Sequence, residues 1–331
     1  MEARAHSARL VPLLLASVVV LPVAGAQAAT ATTTPAPAAG RGHLRLVVER
    51  AYTLGHSRVA LLHQRVRLRA IVKPYVAGQV LSVTVNAGHH RFLSTRRTVR
   101  QVGGHGEFTV HFRATRLGTF YAHATHVATA AQATMSASAQ GVSVFTPAAG
   151  RGSSGLRVRF LQQRLAAVHF LASRSGHYDD ATARAVLAYR SNNGMSRSFS
   201  ANPAIFARLA RLGGGFHVRY STHGRHVEAN VARQVLALIN TDNSVYKVVH
   251  MSSGKPSTPT VLGSFKVYSK TPGTNSHGMV DSAYFHGGYA IHGYADVPTF
   301  AASHGCLRIP IPNAAFVYSW MQYGETVDVY R

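Results

Sequence analysis

Apolar and polar residues alternate through the first third of the chain. Val66, Leu68 and Ala70 are separated by Arg67 and Arg69, Leu81, Val83 and Val85 by Ser82 and Thr84, and Phe108, Val110 and Phe112 by Thr109 and His111. Successive side chains of a strand point to opposite faces, so a period of two predicts strands with one apolar and one wet face. Gly-rich and polar turns divide the runs, and residues 43–147 make up a span of about 100 residues. An immunoglobulin-like β-sandwich is therefore expected, without the cysteine pair of antibody domains. Its histidines (His89, His90, His105, His111, His123, His126) are scattered and lack zinc-site spacing.

After a Pro-, Gly- and Ser-rich stretch the period lengthens. Leu161, Leu165 and Val168 fall at i, i+4 and i+7 on one helical face. Asp179 or Asp180 is placed to cap a second helix carrying Val186 and Tyr189. Asn202 and Pro203 form an N-cap and N1 pair for a third, with Ile205, Leu209 and Leu212 on its face. These signals predict a small three-helix domain over residues 150–213. Gly213-Gly214-Gly215 breaks the chain again. From 216 to 331 the pattern is mostly β, with segments 234–239 and 245–250 around a Thr241-Asp242-Asn243-Ser244 turn and a closing strand at 327–330. The fold class expected is multidomain and mainly β.

At 331 residues two or three domains are the natural expectation. The formal charge of +24 fits a polyanionic partner. It equally fits an Arg- and Ala-rich composition of the kind a GC-rich genome encodes, since only five of the 35 basic residues are Lys. At the N-terminus Arg4 and Arg9 precede an apolar run from Leu10 to Val23, then Ala26-Gln27-Ala28. That reads as a secretory signal peptide over 1–28, because the run is shorter than the roughly 20 residues of a bilayer span. Residues 29–42, rich in Thr, Ala and Pro, read as a disordered linker. The expectation is a secreted, extracytoplasmic protein with no stable membrane span after cleavage and no nucleic-acid partner. Export also makes the lone cysteine informative: it has no intrachain partner, so it points to chemistry or to intermolecular pairing.

That cysteine sits in the stretch with the densest chemistry. Ile291-His292-Gly293-Tyr294 is followed by Ser303-His304-Gly305-Cys306-Leu307-Arg308. A thiol is a useful nucleophile only as thiolate, and a neighbouring imidazole is able to take its proton. Either His292 or His304 could be that base. Gly305 permits a tight turn that aims the His304, Gly305 and Cys306 N–H groups at an oxyanion. Ser303 could hydrogen-bond a histidine or simply make the turn. Arg308 could hold a substrate carboxylate or an internal ion pair. Tyr284, Tyr289 and Tyr294 could line the groove or pack in the core.

These residues closely resemble the catalytic domain of the L,D-transpeptidases, bacterial enzymes that cross-link peptidoglycan. The family pattern is an upstream His-Gly, a spacer, then Ser/Thr-His-Gly-Cys, an apolar residue and Arg. His292-Gly293 and Ser303–Arg308 supply each element, with a shorter spacer than the best-known members. The likeness extends through Met251-Ser252-Ser253-Gly254, Thr258-Pro259-Thr260 and Gly263-Ser264-Phe265-Lys266-Val267, and covers 216–331. By position 266–285 matches the family's mobile lid. The helical span resembles the small peptidoglycan-binding domain of wall enzymes at Val158–Leu165 and Thr182–Asn193, although Tyr189-Arg190 replaces the usual Phe-Gln. The resemblance implies Cys306 as nucleophile and His292 as base, its ring oriented by a backbone carbonyl. It places His304 in the pocket, Gly305, Ser303 and Gly293 in oxyanion and orientation roles, and Arg308, Tyr289 and Tyr294 at the substrate. Peptidoglycan stem peptides and anionic wall polymers would be the partners, and no metal or organic cofactor is implied. The implied reaction is release of D-alanine from a tetrapeptide stem and 3→3 cross-linking, with carbapenems as acylating inhibitors. An L,D-carboxypeptidase would use the same cysteine with water as acceptor. A zinc-dependent wall peptidase using His277, Asp281, His286 or His292 would need a helical H-E-x-x-H pattern that the sequence does not supply.

Overall fold

The alternating region folds as strands throughout. The computed structural model describes residues 39–331. The expected signal peptide and most of the 29–42 linker lie outside those residues. The first eleven strands are β1 (His43–Glu49), β2 (Tyr52–Leu54), β3 (Ser57–Leu61), β4 (Arg65–Lys73), β5 (Val80–Ala87), β6 (His90–Thr98), β7 (Arg100–Val102), β8 (His105–Arg113), β9 (Gly118–His126), β10 (Met135–Ser138) and β11 (Val142–Phe145). They form two sheets, ordered β1-β4-β8-β7 and β2-β3-β11-β9-β5-β6, with β10 paired to β9. On β4 the apolar set Val66, Leu68, Ala70 and Val72 is buried, while Arg65 and Lys73 at its ends are exposed. This set shares one core with Leu81, Val83 and Val85 of β5 and Phe108, Val110 and Phe112 of β8. The two sheets thus close over the apolar face that the alternation marks out.

Helices α1 (Leu156–Ala167), α2 (Asp180–Asn192) and α3 (Pro203–Ala210) follow. Asp179 is the cap of α2, its carboxylate accepting the Thr182 N–H at 2.8 Å, and Asn202 caps α3 through the Ile205 N–H at 3.1 Å. Helix α3 ends before Leu212, which is half exposed at 50% and does not join the helix's buried face.

The remaining elements are β12 (His226–Asn230), β13 (Val235–Ile239), β14 (Val245–His250), β15 (Gly263–Lys266), β16 (Ser269–Thr274), β17 (Val280–His286), β18 (Tyr289–Tyr294), β19 (Leu307–Pro310), α4 (Ile311–Trp320) and β20 (Thr326–Tyr330). They build sheets β14-β13-β12-β20-β15 and β16-β17-β18-β19. All of β13 is buried, and the two faces of its apolar run go to different places. Val235, Ala237 and Ile239 pack with the helices, whereas Leu236 and Leu238 pack with Ile291, Leu307 and Ile309. A sheet covered on both faces needs no polar alternation. The helices are therefore one wall of this sheet. Phe170, just past α1, extends the sheet as a bridge to Val248, through Leu171 N–H to Val248 O at 3.0 Å and Val248 N–H to His169 O at 2.9 Å. No helix among the described residues is long and apolar enough to cross a membrane.

Candidate active site

Strands β18 and β19 lie side by side and parallel, with Ile291 opposite Leu307, His292 opposite Arg308 and Gly293 opposite Ile309. This pairing brings together the two motif halves that the sequence separates. Gly293 is required for packing, because a Cβ there would lie 2.6 Å from the Ala314 methyl of α4.

His292 is buried on β18. Its Nδ1 lies 2.9 Å from the Gly293 carbonyl oxygen, which can only accept, so Nδ1 carries the proton and the Nε2 lone pair stays free. Burial pushes its pKa below the usual histidine range and the Arg308 charge pushes the same way, against the Gly293 carbonyl. Cys306 is half-buried just before β19, with Sγ 3.6 Å from the Gly288 carbonyl. Burial raises the thiol pKa, opposed by the Ala290 N–H and by Arg308. Both shifts favour the uncharged forms, so at neutral pH the pair rests as thiol and imidazole rather than as an ion pair.

The turn between them is held from several sides. Ser303 Oγ donates to Cys306 O at 2.6 Å and accepts the Gly305 N–H at 3.0 Å, so Ser303 serves the turn and bonds no histidine. The Gly305 amide is thereby committed, so of the three N–H groups expected at an oxyanion only those of His304 and Cys306 carry no hydrogen bond among the described residues. Gly305 has φ +125°, and a Cβ there would sit 2.3 Å from Cε1 of Tyr289. Thr260 Oγ1 donates to Gly305 O at 2.7 Å and Thr258 Oγ1 to Ser303 O at 3.1 Å. Ser252 brackets β19 through two backbone bonds to Arg308, at 2.8 and 2.9 Å.

A cavity of about 320 Å³ opens here, and Cys306, His292, Ser303, His304, Tyr294 and Arg308 all line it. Tyr289 does not; its ring backs the turn. Tyr294 stands edge-on to His292 with ring centroids 5.6 Å apart, and the Arg308 guanidinium lies 4.1 Å over the Tyr294 ring. Arg308 Nη1 is 3.9 Å from the exposed Asp296 carboxylate, too far for a hydrogen bond, so its donors remain available. His304 is exposed, with Nε2 3.3 Å from Lys255 Nζ. His277 and Met279, at the tip of the β16–β17 hairpin, complete the lining. Among the described residues no three His, Cys, Asp or Glu side chains converge as metal ligands. Asp281 accepts the Gly273 N–H at 2.8 Å, and His286 packs on Phe265.

Two arginines outside the motif hold the loop that leads into this site. Arg197, in the loop after α2, donates to Thr299 O at 2.9 Å and to Ala232 O at 2.8 Å, and Arg184 of α2 donates to Val297 O. Val297 and Thr299 lie in the loop joining β18 to the motif turn. To reach Val297 and Thr299 the side chains cross more than one hundred residues of sequence, and no local pattern marks such contacts. His250 is buried beside them with neither ring nitrogen bonded, and burial followed by these two charges pushes its pKa down to about 3. It is therefore neutral beneath the clamp.

Residues 224–329 match the family model of the L,D-transpeptidase catalytic domain, YkuD. Among solved structures, an L,D-transpeptidase from Xylanimonas cellulosilytica is 32% identical, with 55% of this chain and 97% of that one covered at a TM-score of 0.52. Others include an L,D-transpeptidase from Stackebrandtia nassauensis, 17% identical over 55% of this chain and 95% of that one with a TM-score of 0.36. One from Mycobacterium tuberculosis is 19% identical over 33% of this chain and 58% of that one, with a TM-score of 0.30. No curated protein matches.

Proposed function

The chain belongs to the L,D-transpeptidase family, whose members act on peptidoglycan, and we propose that Cys306 is its nucleophile and His292 its general base. The observation that carries this reading is a neutral imidazole in the same cavity as the chain's one thiol, its Nδ1 committed to Gly293 and its Nε2 free. Proton transfer from Sγ to Nε2 accompanies attack on the carbonyl that precedes the terminal D-alanine of a tetrapeptide stem. The His304 and Cys306 N–H groups receive the oxyanion. Collapse breaks the C–N bond, the imidazolium returns its proton to the departing D-alanine amine, and a thioester remains. The amine of a second stem attacks that thioester, regenerating the thiol and giving a 3→3 cross-link. Arg308 and Tyr294 engage the stem, the β16–β17 hairpin acts as the lid, and no cofactor takes part.

The wider reading places the protein outside the membrane, in the wall. Residues 43–147 serve as an immunoglobulin-like module, 150–213 as a peptidoglycan-binding-like domain and 216–331 as the catalytic domain. Susceptibility to carbapenems follows from family membership as an expectation.

The test is incubation with a disaccharide-tetrapeptide. Release of D-alanine together with a cross-linked dimer is expected, unaffected by chelators. D-Alanine without dimer would favour the carboxypeptidase, and loss of activity on chelation the zinc peptidase. Because His292 is held below its ordinary value near 6.5, it remains a base as pH falls through that value. The acidic limb of the rate profile should therefore lie below pH 6.5, and a limb above it would contradict the assignment.

Arg197→Ala should release the Thr299 and Ala232 carbonyls and let the 295–302 loop drift. A loss of about tenfold or more in acylation rate is expected, with faster amide exchange in that loop and a near-native melting temperature. An unchanged rate would mean that the clamp is only structural.

A further inference from the structure

Positive charge is unevenly placed along this chain. Residues 43–145 hold thirteen Lys and Arg against two Glu, and residues 146–215 ten against two acids. Residues 216–331, which carry Cys306, hold nine against six. A genome-wide preference for Arg would load all three alike, so composition does not account for the asymmetry.

Within the N-terminal sheets both glutamates are already engaged. Glu49 pairs with Arg67 and Arg69, and Glu107 with Arg69 and His105. Among the described residues none of Arg65, Arg97 and Arg113 has an acidic partner. The register of β4 against β8 nevertheless sets Arg65 directly opposite Arg113, and Arg67 opposite His111. Facing like charges on a strand pair oppose folding, and desolvation together with Arg65, Arg67 and Arg50 holds the His111 pKa down. An arrangement that strains its own sheet invites a counter-charge from outside.

A groove of about 460 Å³ lies at this place, with Arg65, Arg97 and His111 beside the hydroxyls of Thr95 and Thr109 and the ring of Phe108. It runs between β6, the last strand of one sheet, and β8, which β7 covers only as far as Glu107. From Phe108 onward the outer edge of β8 is unpaired and offers backbone donors as well.

We propose that this groove docks a linear polyol-phosphate polymer of the cell envelope, holding the enzyme against the wall. The proposal rests on the wall location argued above. Arg65 of β4 and Arg97 of β6 reach the groove from the two different sheets, so a chain whose charges recur along its backbone can meet both, whereas a stem peptide offers isolated carboxylates. Guanidinium forks bind phosphate oxygens bidentately, and the polyol carbons lie on the apolar floor. Tethering raises the effective concentration of the catalytic cavity at its substrate.

The test uses the full chain and a synthetic glycerol-phosphate dodecamer, titrated at low and moderate salt. Arg65→Gln/Arg97→Gln is compared with Arg174→Gln/Arg211→Gln, which removes the same charge from the helical segment. The expected result is a loss of tenfold or more in affinity and a shallower salt dependence for the groove pair, against threefold or less for the control pair. Equal losses, no binding by the native chain, or equal affinity for duplex DNA of matched charge would each overturn the proposal. Acylation of Cys306, followed in the same samples, should stay at the native rate. A chain that binds the polymer but does not acylate would count against the catalytic reading and leave the groove standing.

Discussion

Replacing His292 with Gln is expected to slow acylation of Cys306 by about a thousandfold, within the span of roughly 10²–10⁴ that general bases contribute. The effect should be this large because the site makes little thiolate unaided. Burial raises the Cys306 thiol pKa, so without a base in reach almost all of it stays protonated at neutral pH. Gln keeps a donor for the Gly293 carbonyl that Nδ1 now serves at 2.9 Å, and it fits the buried site in size, so the melting temperature should change little. His304→Gln is the matched comparison. That side chain is exposed, with Nε2 3.3 Å from Lys255 Nζ, and its loss should cost less than about tenfold because the ammonium can only donate and so occupies the Nε2 lone pair that a base would need. Rates of adduct formation by each variant, followed by mass spectrometry, decide between the two. A larger loss at His304 than at His292 would reverse the assignment.

Gly305→Ala should lower acylation by at least about a hundredfold, since displacements near 1 Å have effects of this size in a positioned site. Two independent causes act here. A φ of +125° is open to glycine and strained for alanine, at about 1–3 kcal/mol. The added methyl would also meet Tyr289 Cε1 at 2.3 Å, a distance that forces either the ring or the turn to move. Ser303 Oγ, Thr260 Oγ1 and the Cys306 carbonyl are all tied to that turn. Movement there therefore displaces the oxyanion donors and Sγ together. Gly305→Ala/Tyr289→Ala removes the clash and keeps the backbone strain, so it should recover part of the rate. The kinetics and melting temperatures of both variants test this, and a native rate for Gly305→Ala would contradict the account of the turn.

The sequence carried the parts of this site that rest on local chemistry. The caps Asp179 and Asn202, the alternation on β4, β5 and β8, and the turn at 241–244 all depend on neighbours within a few residues, and each is where the pattern predicts. The two motif halves were readable as residue types, but their union depends on the parallel register of β18 with β19, which no spacing reveals. The apolar run of β13 hid the fact that its two faces serve different cores. No periodic pattern marks helix α4, because Ile311–Trp320 has only Ala314 and Val317 fully buried and no clean polar face. Tyr289 and Tyr294 are alike in sequence, yet one backs the turn while the other lines the cavity. Ser303 was a plausible histidine partner, but its hydroxyl is closer to the backbone of its own turn. Arg184 and Arg197 were invisible for the reason that makes them useful, because they bond carbonyls far away in sequence.

The most direct test of the central claim is intact mass spectrometry of the chain after incubation with a carbapenem, beside Cys306→Ala. One covalent adduct on the native protein and none on the variant is the predicted result. An adduct that survives in the variant, or a folded native protein that takes none, would contradict an activated Cys306.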